Sequence, residues 1–340
     1  MFKRLSYVFR RLQLRALGRE LGDAWAFVLH RNVLVPAADF LPRGGAMLVA
    51  RGLAWLITIG TMRGLRARRS RRRSFGGSNT DALRAARAWI ETPLRDFVYE
   101  RRVFRGREAM PGPKFVETGS EHARRLRAEG GPLIFATGHF VRQAMHALYT
   151  PQATPGLLGF VVAPMPQPSW RPSVMRTRLV FGQILECIRK TRAGVLCEVV
   201  AGGGKHATRS LIRHLKDDRQ IVIVHVDAPW KAERSWYKRP FAGHAQRVFS
   251  VGIARLARIT QTPIVVCIPY QTVEGHTVLE WHDPILPPPP TETEADERVT
   301  DQMLDAIESA VGRRPEQYVL DVFGTRHWNA SAERWQVVDL

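Results

Sequence analysis

From Pro132 to Trp281 short apolar runs alternate with longer amphipathic stretches. The runs "PLIFAT", "LLGFVVAP", "GVLCEVV", "QIVIVHV", "PIVVCIPY" and "HTVLEW" have the length and β-branched content of buried strands. Between them, "FVRQAMHALY", "SVMRTRLVFGQILECIRK", "HATRSLIRHLK" and "VFSVGIARLARITQ" place apolar residues at helical spacing. Strands separated by helices of this length predict an α/β fold, with a mixed, largely parallel sheet flanked by helices. Ahead of this block, "DALRAARAWIETPLRDFVYERRVF" reads as a helix capped at Asn79 or Thr80. "REAMPGPKFVETGS" reads as turns, and "SEHARRLRAEGG" as a helix capped by Ser120 and stopped by glycine. After it come a proline-rich acidic surface loop, "LPPPPTETEADE", and a last helix, "ERVTDQMLDAIESAVGR". No internal repeat is visible. The expected organisation is a basic helical segment over residues 1–75, an α/β domain over 76–330 and a tail over 331–340.

Charge changes the reading of the first segment. The chain carries 51 Lys+Arg against 31 Asp+Glu, a net of +20, and the excess gathers near the N-terminus. Six cations, Lys3, Arg4, Arg10, Arg11, Arg15 and Arg19, open the chain, and "RGLRARRSRRR" follows from Arg63 to Arg73. Between the two clusters lie the apolar stretches "LGDAWAFVLHRNVLVPAADFLP" and "GGAMLVARGLAWLITIGTM". A helix crossing a bilayer needs about 20 mostly apolar residues. Arg51 stands near the middle of the second stretch, where a charge costs about 2.5–3.5 kcal/mol to insert. A helix lying in the interface of an anionic leaflet fits better, since each flanking cation contributes about 1 kcal/mol there. The location expected is peripheral or monotopic, on the cytoplasmic face of an inner membrane. Nucleic acid is the other polyanion to weigh, but no helix-turn-helix, zinc-finger or RNP-like pattern is present, so none is expected as a partner. The cysteines Cys187, Cys197 and Cys267 form no CxxC pair and read as small core residues.

Ligands of parallel sheets gather at the carboxyl ends of strands. His139 follows one such end in "PLIFATGHF", and Asp227 follows another in "QIVIVHVD". Glu198 sits inside the apolar run "GVLCEVV", where a charge needs a partner; His139 is one candidate, Arg189 or Arg192 another. "AGGGKHATRS" lacks the G-x4-G-K-[ST] spacing of a phosphate loop. No metal-ligand spacing such as HExxH occurs, so neither metal nor cofactor is expected. "SWYKRPF" mixes aromatics and cations and is a candidate for contact with a membrane surface.

An ordered set of segments resembles the lipid A biosynthesis acyltransferases. The lead-in "FVETGSEHARRLRAEGGPLIFATG" runs into "HFVRQA", where that family has a motif close to H-F-G-N-W-E. "VIVHVDAPW", "RPFAGHAQ", "FSVGIARLARITQTPIVVCIPY" and "RRPEQYVLDVF" follow in the family's order, and the similarity covers roughly residues 80–330. The resemblance implies a glycerolipid-acyltransferase-like fold with N-terminal membrane-associating helices. It also implies acyl transfer from a thioester, carried by acyl carrier protein or coenzyme A, to a hydroxyl of a lipid or glycolipid. A strongly basic surface suits the acidic carrier protein. His139 then matches the general base and Phe140 the residue after it. Arg142, at the family's asparagine, is a candidate for binding a substrate phosphate or the developing oxyanion, and Phe140 and Arg192 are further substrate-binding candidates. The family's acid, five residues after the histidine, is Ala144 here. Three readings follow. Another carboxylate, Asp227 or Glu198, partners His139; or His139 works without one; or the chain is a catalytically inactive lipid-binding relative.

Overall fold

The computed structural model describes residues 28–60, 78–107, 115–129, 131–140, 158–162, 175, 197–201, 204–216, 221–227, 236–242, 244–272, 276–318, 326–329 and 334–337. A π-helical turn, His30–Leu34, leads into α1 (Val35–Phe40), α2 (Arg43–Gly60) and α3 (Asn79–Phe104). The α/β part contains β1 (Phe115–Gly119), α4 (Glu121–Glu129), β2 (Leu133–Thr137), β3 (Leu158–Val162), β4 (Cys197–Ala201), α5 (Gly204–Lys216) and β5 (Ile221–His225). It continues with β6 (Trp236–Phe241), β7 (His244–Ser250), α6 (Gly252–Thr260), β8 (Ile264–Gln271), β9 (Thr277–Trp281) and α7 (Ala295–Arg313). A 3-10 turn, Pro315–Gln317, and the strands β10 (Arg326–Asn329) and β11 (Arg334–Val337) end the order. The helices expected over 141–149 and 173–190 fall outside the described residues, apart from Met175.

Seven strands form one sheet in the order β1-β9-β8-β2-β5-β3-β4. Every neighbouring pair is parallel except β8 with β9, so the sheet is mixed and largely parallel, as the alternation of runs predicts. Its middle is buried on both faces. Ile134 and Ala136 of β2, Val222 and Val224 of β5, and Val266 and Ile268 of β8 all point to one face. There they meet Leu211 and Leu215 of α5, Leu256 of α6, and Met303, Leu304 and Ile307 of α7. The two-residue step of these positions is the pleat of a strand seen from its core side. Cys267 is buried in β8.

Two local expectations change. "FVETG" is a strand, pairing β1 with β9, rather than part of a run of turns. The segment around Val248 is not the start of a helix: residues 244–250 form β7, antiparallel to β6, and the helix begins only at Gly252. Arg247, Val248 and Phe249 are all buried, so polar alternation is missing and the run imitates helical spacing. "SWYKRPF" is largely β6, with Lys238 exposed. Arg239 pairs with Asp301, Asp305 and Glu308 of α7, and the Tyr237 hydroxyl donates to Asp301 at 2.6 Å. That bond, with burial and the Asp301 charge, pushes the Tyr237 phenol up to about 12. α2 and α3 share a core built from Ala46, Ala50, Leu53, Ala86, Ile90 and Phe97, and β10 pairs with β11 across residue 330.

The Ser120 cap is where the sequence places it: its hydroxyl accepts the Ala123 amide at 3.2 Å. Arg51 of α2 reaches across to Glu91 of α3 at 3.2 Å. Among the described residues, no helix is long and apolar enough to cross a membrane.

Candidate active site

β2 and β5 lie side by side with Thr137 level with His225. One further bond, from the Val226 amide to the Thr137 carbonyl at 3.0 Å, continues the pairing past the strand ends. The chain leaving β2 and the chain leaving β5 are therefore held together where each turns away from the sheet. This places His139, two residues past β2, against Asp227, two residues past β5.

The contact is close. His139 Nδ1 and Asp227 Oδ1 are 2.5 Å apart, and the His139 backbone amide donates to Asp227 Oδ2 at 2.8 Å. A carboxylate only accepts, so Nδ1 carries the hydrogen and Nε2, on the far side of the ring, keeps its lone pair. The Asp227 side chain is fully buried, while that of His139 remains 23% exposed. Burial pushes the Asp227 carboxyl up, but the His139 charge, its two hydrogen bonds and the Arg247 charge outweigh this. The net result holds the carboxyl well below the usual carboxylate range. Because folding lowers this group's pKa, its contribution to stability is fully present above the unfolded value of about 3.9. That contribution is lost only as pH falls through the folded value. Asp227 thus stays ionised at neutral pH.

Arg247 of β7 supports the carboxylate from behind. It is buried, donates from Nη2 to the Asp227 carbonyl at 3.2 Å, and from Nη1 to the Tyr318 hydroxyl at 3.3 Å. Its guanidinium lies over the rings of Phe241 and Phe249, at 5.2 and 5.7 Å. On the other side of His139 the His225 ring stands 4.5 Å away, centroid to centroid, tilted by 40°.

Gly138 makes the approach possible. A Cβ there would lie 2.8 Å from Ile307 Cγ2, 3.0 Å from the Phe140 ring and 3.2 Å from Asp227 Oδ2. Gly138→Ala must displace α7, the ring or the carboxylate. It is expected to cost about 1–3 kcal/mol by overpacking and to lower turnover more than tenfold. Thermal unfolding and a steady-state rate on the same preparation check this; an alanine variant with wild-type rate would show that the tight fit is not needed.

The other candidates fare differently. Phe140 is fully buried, its ring 5.4 Å from that of Tyr318 and its backbone bridged to that residue. Glu198 does not reach His139. It lies on β4, the edge strand, separated from β2 by β3 and β5, which amounts to about 14 Å of sheet. Its register, through Gly159 to Val222, also sets it three residues short of the strand-end level of His225. The sequence favours Asp227 over Glu198 because Asp227 ends a strand whereas Glu198 sits inside one, and the strand order sets the two apart. Arg142, Ala144 and Arg192 lie outside the described residues. Three members of the constellation had gone unnoticed: His225, Arg247 and Tyr318. His225 carried a signal, a polar residue at a strand end two positions before Asp227; Arg247 carried none. Among the described residues, no cluster of three or more His, Cys, Asp or Glu side chains is placed to hold a metal.

Residues 37–320 match the sequence profile of a family described as bacterial lipid A biosynthesis acyltransferase. No curated protein matches the chain. Among solved structures, the crystal structure of the 1-acyl-sn-glycerophosphate (LPA) acyltransferase PlsC from Thermotoga maritima aligns with 15% identity and a TM-score of 0.34, over 78% of this chain and 97% of that one.

Proposed function

Since the chain belongs to the bacterial lipid A biosynthesis acyltransferase family, and is thereby a lipid acyltransferase, we propose that His139 and Asp227 form its catalytic pair. The acyl group comes from a thioester of acyl carrier protein or coenzyme A and passes to a hydroxyl of a glycolipid. The observation that carries this reading is the 2.5 Å contact between His139 Nδ1 and the buried Asp227 carboxylate. His139 Nε2 takes the proton of the acceptor hydroxyl as its oxygen attacks the thioester carbonyl. The imidazolium that forms is stabilised by Asp227, whose orientation is fixed by the His139 amide and, through its own carbonyl, by Arg247. Collapse of the tetrahedral intermediate expels the thiolate, to which His139 returns the proton. Ala144 removes the acid expected from the family motif; Asp227 supplies a carboxylate from a different strand. That contact favours an active enzyme over an inactive lipid-binding relative. Purified protein given an acyl carrier thioester and membrane glycolipid is expected to release thiol at a rate that depends on the glycolipid. Release that ignores the acceptor would contradict transfer.

The same reading places the chain on an anionic membrane, at the cytoplasmic face of the inner membrane. Leu48, Trp55, Leu56 and Ile59 of α2 are exposed along one side of the helix, with Phe40 and Leu41 before them. Arg87 lies over the Trp55 ring at 4.9 Å and Arg107 over the Phe40 ring at 5.9 Å, so cations border the apolar stripe. A stripe of this kind suits a helix lying in the headgroup region, where apolar burial and basic side chains act together. α3 packs against the 3-10 turn that precedes Tyr318. The stripe and the catalytic edge are thereby joined through one rigid helix, which brings a lipid acceptor near His139. Changing Leu48, Trp55, Leu56 and Ile59 together to serine is expected to lower binding to phosphatidylglycerol vesicles at least tenfold, because each fully buried apolar side chain contributes about 1.5–3 kcal/mol. Co-sedimentation with vesicles measures this, and unchanged binding would remove α2 from the membrane contact.

A further inference from the structure

We propose that His225 is a positioning residue for the catalytic base, its ring forming the surface against which the His139 imidazolium develops. The proposal rests on the reading of His139 as the base. Three observations support it. His225 ends β5, level with Thr137 at the end of β2, so both imidazoles rise from adjacent strand ends. Their centroids are 4.5 Å apart with a 40° tilt, inside the range in which aromatic rings attract. The positions Val222, Val224 and Val226 of this strand face the α5–α7 core, so His225 projects from the opposite face of the sheet, away from that packing.

The base is thus held on two sides with different chemistry. Asp227 fixes Nδ1 in the plane of the ring. The His225 ring lies against the ring of His139, whose side chain stays 23% exposed. During proton transfer the His139 ring gains a positive charge. An aromatic ring beside a cation stabilises it, and this interaction strengthens as the charge forms. An effect confined to the transition state acts on kcat and spares KM. Arg247, the nearby permanent cation, is directed at Asp227 and Tyr318. The contact with His139 is one of ring against ring, at 4.5 Å between centroids.

The test compares His225→Ala with His225→Phe. Alanine removes the ring; phenylalanine keeps a ring face and removes both nitrogens. His225→Ala is expected to lower kcat about three- to twentyfold with KM within about twofold, and His225→Phe to stay near wild type, given the usual strength of ring–ring and cation–ring contacts. A second measurement needs no turnover. The Nδ1 hydrogen between His139 and Asp227 should give a downfield proton resonance, kept in His225→Phe and weakened by faster exchange in His225→Ala. Equal loss of kcat in both variants would assign the role to a nitrogen and overturn the proposal. So would an alanine variant with unchanged kcat and unchanged resonance. If the wild type transfers no acyl group, the acyltransferase reading fails while the resonance still decides whether His225 holds the base. Thermal unfolding of both variants separates a misfolded alanine protein from a mispositioned base, with the phenylalanine variant as the folded reference.

Discussion

Asp227→Asn is expected to lower kcat about 10³–10⁴-fold, the scale seen when the carboxylate of a serine-hydrolase triad is replaced by its amide. The reason is the tautomer. Asp227 accepts at both oxygens, from His139 Nδ1 and from the His139 amide. An asparagine that still accepts from the backbone amide turns its NH2 toward Nδ1. The imidazole then places its hydrogen on Nε2 and presents a donor where the mechanism needs a lone pair. KM should change little, because Asp227 is fully buried and cannot touch the acyl chain. Asp227→Glu keeps the charge but adds a methylene in a site that Gly138, Ile307 and Phe140 already fill. It should fold less stably and recover only part of the rate. Steady-state kinetics on the three proteins check this, and an asparagine variant within tenfold of wild type would show that His139 works without a carboxylate.

His139→Gln should remove acyl transfer, a loss of at least about 10³-fold, since His139 is the group that takes the hydroxyl proton. Glutamine keeps an N–H within reach of Asp227, which would otherwise lose a partner for a buried charge at a cost of about 1–3 kcal/mol. The variant should therefore fold, and retain its affinity for phosphatidylglycerol vesicles, while making no product. A His139→Gln protein that still transfers would take His139 out of the chemistry.

Much of the sheet could be read from the sequence because its central strands are buried on both faces. Runs such as "LIFAT" and "IVIVH" are apolar for a structural reason and stop where the chain leaves the core. The corners where they stop, at His139 and Asp227, were legible as well. The distances between strands were not. β5 lies next to β2 although eighty-eight residues separate His139 from Asp227, whereas β4, nearer in sequence, is placed at the edge. Nothing local in "GVLCEVV" or "QIVIVHVD" encodes that order; it is set by how the crossover helices cover the sheet. Arg247 was hidden for a related reason. Its segment is buried on both sides of β7, and its partners, Tyr318 and the Asp227 carbonyl, come from distant parts of the chain. Phe140 keeps the residue type of the family motif, and its ring packs against that of Tyr318.

The most direct measurement is mass spectrometry of membrane glycolipids from cells that make the wild-type protein, the His139→Gln protein or neither. A His139–Asp227 pair that transfers acyl groups predicts one glycolipid class heavier by a single acyl chain in the wild-type cells alone. Identical glycolipids in all three, or the same added mass with His139→Gln, would contradict it.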